Sequence, residues 1–279
     1  MPSPYPEAPD PVDAETDEPL ISGEKVMGFL DHLEELRWTL VKCAIVVVLF
    51  TVLSAIFLRD VQSFLEWPWR EALKTYPKLA VVLRTDTPME VYSVMIQVCL
   101  PPAIAASVPF LLFFLGQFVS PALTEKERRV VRPVLLTALA LFLAGAEFAF
   151  LLLVRAAVEV AIEANDWMGF TMIWTAESYY SLLNWLVLGM GLVFEFPLVV
   201  LALAYLGIVE VATFRKSRRM VILICFIVAA VVTPTPDPFT QTLVALPMWA
   251  LFEISLIVAS VLLKRKERAE AAGANLPAD

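Results

Sequence analysis

Residues 29–58 read FLDHLEELRWTLVKCAIVVVLFTVLSAIFL, and this stretch decides the fold. From residue 38 onward it carries a single charge over about 20 residues, the length that a helix needs to cross a bilayer. Residues 29–37 hold the only histidine of the chain and three acids, while their apolar side chains recur at helical spacing. The pattern predicts a short amphipathic helix that lies on the membrane surface and leads into a first span.

The composition of the whole chain also indicates a membrane protein. Of 279 residues, 59% are hydrophobic, and the mean hydropathy is +0.74. A soluble protein has only about 45–50% apolar residues. Much of the net charge of −8 comes from residues 1–25, a Pro-rich acidic stretch without a signal-peptide pattern. We therefore predict a disordered N-terminal tail followed by an all-α integral membrane domain.

Long apolar runs predict six transmembrane helices, and both glycines and prolines shape them. Prolines inside the second span predict a kink or a break. Gly189 and Gly191 in the fourth span predict a close approach of another helix. The fifth span is only 13 residues long, which gives about 20 Å of helix against a hydrocarbon core of about 30 Å. The predicted spans are 38–58, 94–119, 134–154, 182–206, 220–232 and 242–263.

The distribution of lysine and arginine predicts the orientation of these spans. Loops 120–133 and 207–219 and the C-terminal tail 264–279 hold four basic residues each. Loop 155–179 holds one and loop 233–241 holds none, although the segment 59–93 is an exception with five. Short basic loops face the cytoplasm. Both termini should therefore be cytoplasmic, with residues 26–263 forming one membrane domain.

Three acids fall inside predicted spans, namely Glu147, Glu195 and Glu253. A charge near the middle of a bilayer costs about 2.5–3.5 kcal/mol, so such residues usually face protein or a watery cavity. Glu195 is followed by Phe196 and Pro197, and the proline leaves a backbone carbonyl without its helical partner. Glu195 is then either an interhelical hydrogen-bonding residue or a site for a polar partner.

No residue pattern indicates an enzyme or a metal site. The three cysteines are isolated in apolar runs, and the single histidine cannot complete a catalytic triad or a ligand cluster. No Gly-rich phosphate-binding loop exists, so the chain does not hydrolyse nucleotide itself. Topology explains the basic residues of the loops, but it does not explain the acids Glu34, Glu35, Glu125 and Glu127, because acids add little to orientation.

Four motifs, in order along the chain, resemble those of the TatC family, the multi-spanning core of the twin-arginine protein translocase. The resemblance covers about residues 29–263. The motifs are HLEELR at 32–37, FVSPAL at 118–123 followed by ERR at 127–129, FEFP at 194–197, and the segment from Thr233 through Asp237 and Gln241 to Leu246-Pro247 and Phe252-Glu253.

The resemblance implies that the chain binds twin-arginine signal peptides of folded proteins at the cytoplasmic face. Glu35 and Glu127 would each pair with one guanidinium group, since Arg–carboxylate pairs can be bidentate and charge-assisted. Two acids from separate segments would then select a pair of arginines over a single one. The neighbouring residues of this implied site are His32, Leu36, Arg37 and Phe118.

The resemblance also implies a concave, glove-like bundle with Glu195 facing the hollow. Single-span TatA- and TatB-like proteins would dock along the fifth and sixth spans in a multimeric complex, with no nucleic acid, cofactor or metal involved. The proton motive force across a bacterial cytoplasmic membrane would supply the energy. The polar residues implied in this region are Glu195, Asp237, Gln241 and Glu253.

Two other classes of function fit the sequence less well than a receptor and translocase core. An ion-coupled small-molecule transporter would use Glu147, Glu195 and Glu253 as a proton relay. The chain shows no inverted or parallel repeat, which disfavours a common transporter architecture. An intramembrane enzyme lacks a plausible nucleophile and base. Acids at a cytoplasmic entrance favour a receptor and translocase core.

Overall fold

A computed structural model describes residues 29–76, 82–120, 125–170, 173–205, 208–233 and 237–274. The described residues are helical throughout, apart from turns and one β-bridge between Arg84 and Thr175. The helices are α1 (Phe29–Ile56), α2 (Leu58–Leu65), α3 (Trp67–Lys74), α4 (Glu90–Val119), α5 (Glu125–Phe148), α6 (Val154–Met168), α7 (Ala176–Val193), α8 (Phe196–Tyr205), α9 (Val211–Lys216), α10 (Arg218–Val232) and α11 (Pro238–Ala274).

Five segments of the described chain are long and apolar enough to cross a membrane, so the chain is a multi-pass membrane protein with all-α structure. The predicted fifth span corresponds to α10, whose 15 residues give only about 22 Å of helix. It falls short of the hydrocarbon core, as its sequence had indicated. The five candidate spans are His32–Ile56, Glu90–Val119, Val131–Met168, Ala176–Tyr205 and Pro238–Lys264.

Neighbouring helices run antiparallel, which gives the bundle two ends. We call the end at which α1 begins and α4 ends the proximal end, and the opposite end the distal end. Helices α5, α8 and α11 bring chain to or from the proximal end, while α2, α3 and α6 lie towards the distal end. Every site discussed below is placed by these two names.

The predicted surface helix before the first span is not a separate element. Helix α1 runs without a break from Phe29 to Ile56, so residues 29–37 extend the span instead of lying beside it. Leu33 and Leu36 are exposed, and so is Trp38. Residues 26–28 lie outside the described part of the chain. Helix α1 contains no glycine or proline, the residues at which helices most often bend or break.

Helix α4 is also continuous past Pro101, Pro102 and Pro109, so it has no break there, and the kink stays a prediction. Proline at position 101 cannot donate to the carbonyl four residues earlier, which belongs to Gln97. The structure supplies another donor, because Nδ2 of Asn184 on α7 donates a hydrogen bond to the backbone carbonyl of Gln97 at 2.8 Å. A neighbouring helix thus satisfies the carbonyl that the proline leaves free.

The third span continues far beyond its predicted end at residue 154. A π-helical turn, Ala149–Leu153, joins α5 to α6, and α6 occupies much of the segment predicted as loop 155–179. It ends at Gly169, which has a left-handed φ of 71°. The Phe170 amide donates to the Asn165 carbonyl at 3.0 Å, which closes the helix with a glycine cap.

The fourth span is divided into α7 and α8 at Phe194 and Glu195. On its distal side, Thr175 caps α7 by accepting a hydrogen bond from the Ser178 amide at 3.1 Å. The predicted close approach occurs at Gly191, where an added Cβ would lie 2.7 Å from the Phe142 ring of α5. It does not occur at Gly189, whose nearest neighbour would be 4.0 Å away.

Candidate functional site

The proximal ends of α1 and α4 meet through an aromatic contact. The His32 ring stacks on the Phe118 ring, with centroids 4.4 Å apart and planes 16° apart. Both residues were predicted site residues, but their spacing of 86 positions along the chain gives no sign of a contact. The stack fixes the first turn of α1 against the last turn of α4 and forms a flat wall beside Glu35.

Glu35 lies one turn further along α1 and carries a carboxylate oxygen with an unusual environment. Its Oε2 atom is inaccessible to solvent and has no hydrogen-bond partner in the described part of the chain. Leaving a buried charged oxygen unpaired costs more than the 1–3 kcal/mol, roughly, of a neutral group. The adjacent Glu34 is exposed, as are Leu36 and Arg37. Glu35 therefore has an unsatisfied carboxylate oxygen, and a cationic donor gains a hydrogen bond there once the side chains that cover the oxygen move aside.

Glu127 belongs to the first turn of α5, which begins at Glu125. The side chains of residues 125–130 lie outside those that the structure describes, so the predicted pairing of Glu127 with Glu35 stays a prediction. The backbone nevertheless places this turn at the proximal end, because α4 and α5 pack closely where Gly116 faces Leu135. The two predicted carboxylate-bearing turns thus occupy the same end of the bundle.

Glu195 sits at the break between α7 and α8 and is half-buried. The Leu198 amide donates to its backbone carbonyl at 2.9 Å, and its side chain has no hydrogen bond to any described residue. A cavity of about 190 Å³ lies beside the break, with walls from α7, α8, α10 and α11. Glu195 itself does not line this cavity, whose walls are apolar.

The Glu253 carboxylate forms an ion pair within the chain. Its Oε2 atom lies 2.7 Å from Nη2 of Arg218, the first residue of α10. A second link follows about two turns further along α11, where Arg215 donates to the Ser260 hydroxyl at 2.9 Å. The antiparallel course of α10 and α11 brings the basic loop beside this carboxylate at the proximal end. Glu253 thus has a structural partner, and its predicted contact with another subunit stays a prediction.

Asp237 and Gln241 lie at the distal start of α11. Asp237 accepts a hydrogen bond from the Thr240 amide at 2.8 Å and so caps the helix. The Gln241 side chain donates to the Phe226 carbonyl of α10 at 3.3 Å. Both polar residues therefore organise the short α10–α11 pair, and their predicted role towards partner proteins stays a prediction.

The acids of the alternative proton relay are not joined. Glu147 lies on the exposed surface of α5, and Glu253 is paired with Arg218. In the described ranges, no hydrogen bond links either of them to Glu195, and no group of three His, Cys, Asp or Glu residues has a geometry that could hold a metal ion.

A buried carboxylate at the distal end was missed by sequence reasoning. Glu90 is only 6% exposed and accepts hydrogen bonds from the Asp86 and Thr87 amides before α4. It also accepts one from the Glu177 amide at the start of α7, at 3.3 Å. The motif Thr87-x-x-Glu90 is a capping box that could have revealed the local part of this arrangement. Glu90 thereby ties the first turns of two spans together.

A second polar network joins α3 to α6 at the distal end. Thr75 donates to Glu159 at 3.3 Å, and the Tyr76 hydroxyl donates to Glu163 at 2.8 Å. The hydrogen bond to Glu163 raises the pKa of Tyr76 to about 12. This network and the burial of Val158 and Ile162 hold α6 against the bundle beyond the predicted end of its span.

Comparison with known proteins gives a consistent result. The family model described as Sec-independent protein translocase protein (TatC) matches residues 31–247. TatC of Haemophilus influenzae is 33% identical over 236 residues, which cover 82% of this chain and 88% of that protein. TatCd of Bacillus subtilis is 31% identical over 251 residues, covering 90% and 99% respectively.

Solved structures agree with the sequence comparison. A crystal structure of the twin arginine translocase receptor TatC superposes with a TM-score of 0.66 at 28% identity, covering 82% of this chain and 98% of that one. A crystal structure of the same receptor in DDM gives a TM-score of 0.68 at 30% identity, covering 82% and 99%.

Proposed function

This chain belongs to the TatC family of Sec-independent translocase proteins, and on that premise we propose that it binds twin-arginine signal peptides of folded proteins. It is a transport component, not an enzyme. The proposed site is at the proximal end and uses Glu35 and Glu127. The observation that carries the proposal is the Glu35 Oε2 atom, which is enclosed and has no hydrogen-bond donor among the described residues.

The chemistry of a guanidinium group suits this oxygen. Arginine presents a planar fork of donors, and its hydrogen bonds to a carboxylate are stronger than those between neutral groups. Partial enclosure shields the pair from water, so it is worth more than a surface ion pair. The stacked rings of His32 and Phe118 offer an aromatic face on which a second guanidinium can lie.

The proposal includes the arrangement of the chain in a bacterial cytoplasmic membrane. Helix α10 is a sixth, short crossing, so that the proximal end and both termini face the cytoplasm. Residues 1–25 and 264–279 are cytoplasmic tails, and residues 26–263 form one concave, glove-like domain. The proposed orientation is supported by the excess of lysine and arginine in the predicted cytoplasmic loops.

We further propose that the chain organises partner subunits for export driven by the proton motive force. TatA- and TatB-like single-span proteins would dock along α10 and α11, near Gln241 and Glu195. Support comes from the exposed apolar side chains of α10, among them Leu223 and Ile227, and from the Glu195 carboxyl without a partner in the described residues.

Peptide binding by purified protein in lipid nanodiscs tests the proposed site. Loss of one charge-assisted hydrogen-bonded pair costs about 1.5–3 kcal/mol, so Glu35→Gln should weaken a twin-arginine peptide by about 10–100-fold. Glu34→Gln is the matched control, because that neighbour is exposed and should bind like the unmodified chain. Equal affinities of the two variants would contradict the assignment of Glu35.

Export in cells that lack their own TatC tests the wider function. A folded reporter behind a twin-arginine signal should be exported by the unmodified chain and retained by the Glu35→Gln/Glu127→Gln variant. A Lys-Lys signal should bind worse than the Arg-Arg signal, since lysine cannot form bidentate pairs. Normal export by the double variant would refute the site, and failure of the unmodified chain to export would refute the translocase role.

A further inference from the structure

A cavity of about 600 Å³ opens at the distal end of the bundle, far from the proposed peptide site. Its walls come from α2, α3, the first turns of α4 and the start of α7. Ligand sites of proteins typically have roughly 300–1,000 Å³ and combine apolar walls with a few polar groups. The cavity has this composition, and its polar groups are gathered at one end.

The apolar part of the cavity is a trough along α4. Val91, Met95 and Val98 recur at helical spacing on the same face, and the trough therefore extends about 10 Å along the helix axis. Val98 at its deep end is buried, whereas Val91 and Met95 are 45% and 42% exposed. Leu58, just after the first span, closes the opposite wall. The trough is therefore open to the surroundings beside Val91 and Met95 and closed at Val98.

The polar end consists of a charge pair at the junction of α2 and α3. Arg70 Nη2 lies 3.4 Å from Glu66 Oε2 and 2.8 Å from the Ser63 carbonyl. Glu66 is also held by Tyr180, whose hydroxyl donates to Oε1 at 3.1 Å. The Arg70 side chain is 54% exposed, and its Nε and Nη1 donors have no partner within the described chain. The pair is net neutral and keeps free donors at the mouth.

Exposed aromatic rings beside the charge pair mark its depth in the membrane. Phe64 and Trp67 are 63% and 42% exposed, and both stack on Phe150 of the π-helical turn, at 4.8 and 6.0 Å. Aromatic side chains of membrane proteins concentrate at the headgroup level. The mouth of the cavity therefore lies at the headgroups, and the trough points into the hydrocarbon.

We propose that this cavity binds one phospholipid of the surrounding bilayer. The phosphate contacts the free donors of Arg70, the headgroup ammonium lies beside Glu66, and one acyl chain fills the trough along α4. Because the charge pair is net neutral, it matches a zwitterionic phosphoethanolamine headgroup better than an anionic phosphoglycerol headgroup. A bound lipid would fill the gap between α2–α3 and α4 and hold the distal end of the bundle together.

Native mass spectrometry of the purified full chain with equimolar phosphatidylethanolamine and phosphatidylglycerol tests this proposal. We expect one retained phosphatidylethanolamine. Arg70→Gln removes a charge-assisted contact and should lower its retention about tenfold. Arg59→Gln is the matched control, since Arg59 is an exposed cation of α2 outside the cavity. Glu66→Gln leaves a net positive mouth and should shift the preference to phosphatidylglycerol.

A second pair of variants tests the trough. Met95→Trp fills it and should abolish lipid retention, whereas Ile96→Trp places the same ring on the adjacent exposed face and should retain the lipid. Equal retention by these two variants, or by Arg70→Gln and Arg59→Gln, would overturn the proposal. Displacement of the lipid by a twin-arginine peptide would also overturn it in favour of a peptide site. If Met95→Trp fails to fold, the exposed Arg70 and Arg59 variants decide.

Discussion

Asn184 should be essential to α4 only while residue 101 is proline. The Asn184 side chain donates to the Gln97 carbonyl at 2.8 Å. If residue 101 were not proline, its backbone amide would donate to this same carbonyl. Asn184→Leu keeps the volume but removes the donor. In the Pro101→Ala background, the new backbone amide takes over, so the same change should cost far less.

The expected magnitude follows from the value of hydrogen bonds inside membranes. An interhelical hydrogen bond contributes about 0.6 kcal/mol on average and about 1.7 kcal/mol at most. A carbonyl left unsatisfied in the apolar interior adds to this cost. We expect Asn184→Leu to lower the free energy of unfolding by about 1.5 kcal/mol in the unmodified chain, and by less than about 0.5 kcal/mol with Pro101→Ala.

Thermal unfolding of the purified protein in one detergent measures the four members of this double-mutant cycle. A cost of about 1.5 kcal/mol corresponds to a fall in Tm of about 3–6 °C. The control cycle uses Pro109→Ala, because the carbonyl that Pro109 frees is not the acceptor of Asn184. Coupling should be absent there. An equal effect of Asn184→Leu with proline or alanine at position 101 would refute the reasoning.

Three further predictions use other parts of the bundle. Gly145→Ala places a Cβ 2.5 Å from a backbone carbonyl oxygen of α7 and should lower the Tm, since overpacking costs about 1–3 kcal/mol. Gly189→Ala meets only the Val232 side chain, at an ordinary contact distance of 4.0 Å, and should leave the Tm unchanged or raise it. Glu163→Gln should move the pKa of Tyr76 from about 12 back towards 10, as read from phenolate absorbance against a Tyr76→Phe reference. The hydrogen bond between Tyr76 and Glu163 should contribute to stability below pH 10, and this contribution should be lost as the pH rises through about 12. Arg218→Gln should lower the Tm more than the double change Arg218→Gln/Glu253→Gln, because the single change leaves the Glu253 carboxylate without its cationic partner.

The positions of five of the six predicted spans agree with the structure, because lipid imposes a requirement on each segment separately. A helix must satisfy its own backbone in the hydrocarbon, so an apolar run of sufficient length reveals itself. The helix ends could not be predicted in the same way. Helix α6 continues to Met168 and packs Val158 and Ile162 into the core. Its Glu159 and Glu163 accept hydrogen bonds from residues just after α3, and no local pattern shows those partners.

The integrity of α4 is a similar case. The prolines are visible in the sequence and favour a break, but the compensating donor lies 87 residues away. The candidate site shows both situations together. Glu35 stands out as an acid that topology does not explain, whereas the contact between His32 and Phe118 depends on how α1 and α4 pack. Only the tertiary structure brings these two rings together.

The π-helical turn Ala149–Leu153 makes the third span tolerant of a one-residue deletion within it. A π turn accommodates one extra residue in a helix, whereas each residue of an α-helix turns the following faces by about 100°. Deleting one residue within the turn should therefore leave an unbroken α-helix and keep α6 in its present direction, with Val158 and Ile162 buried. Deleting one residue from the regular part of α5 should instead rotate α6 and turn these two side chains away from the core. The π turn thus separates the rotational register of α6 from that of α5.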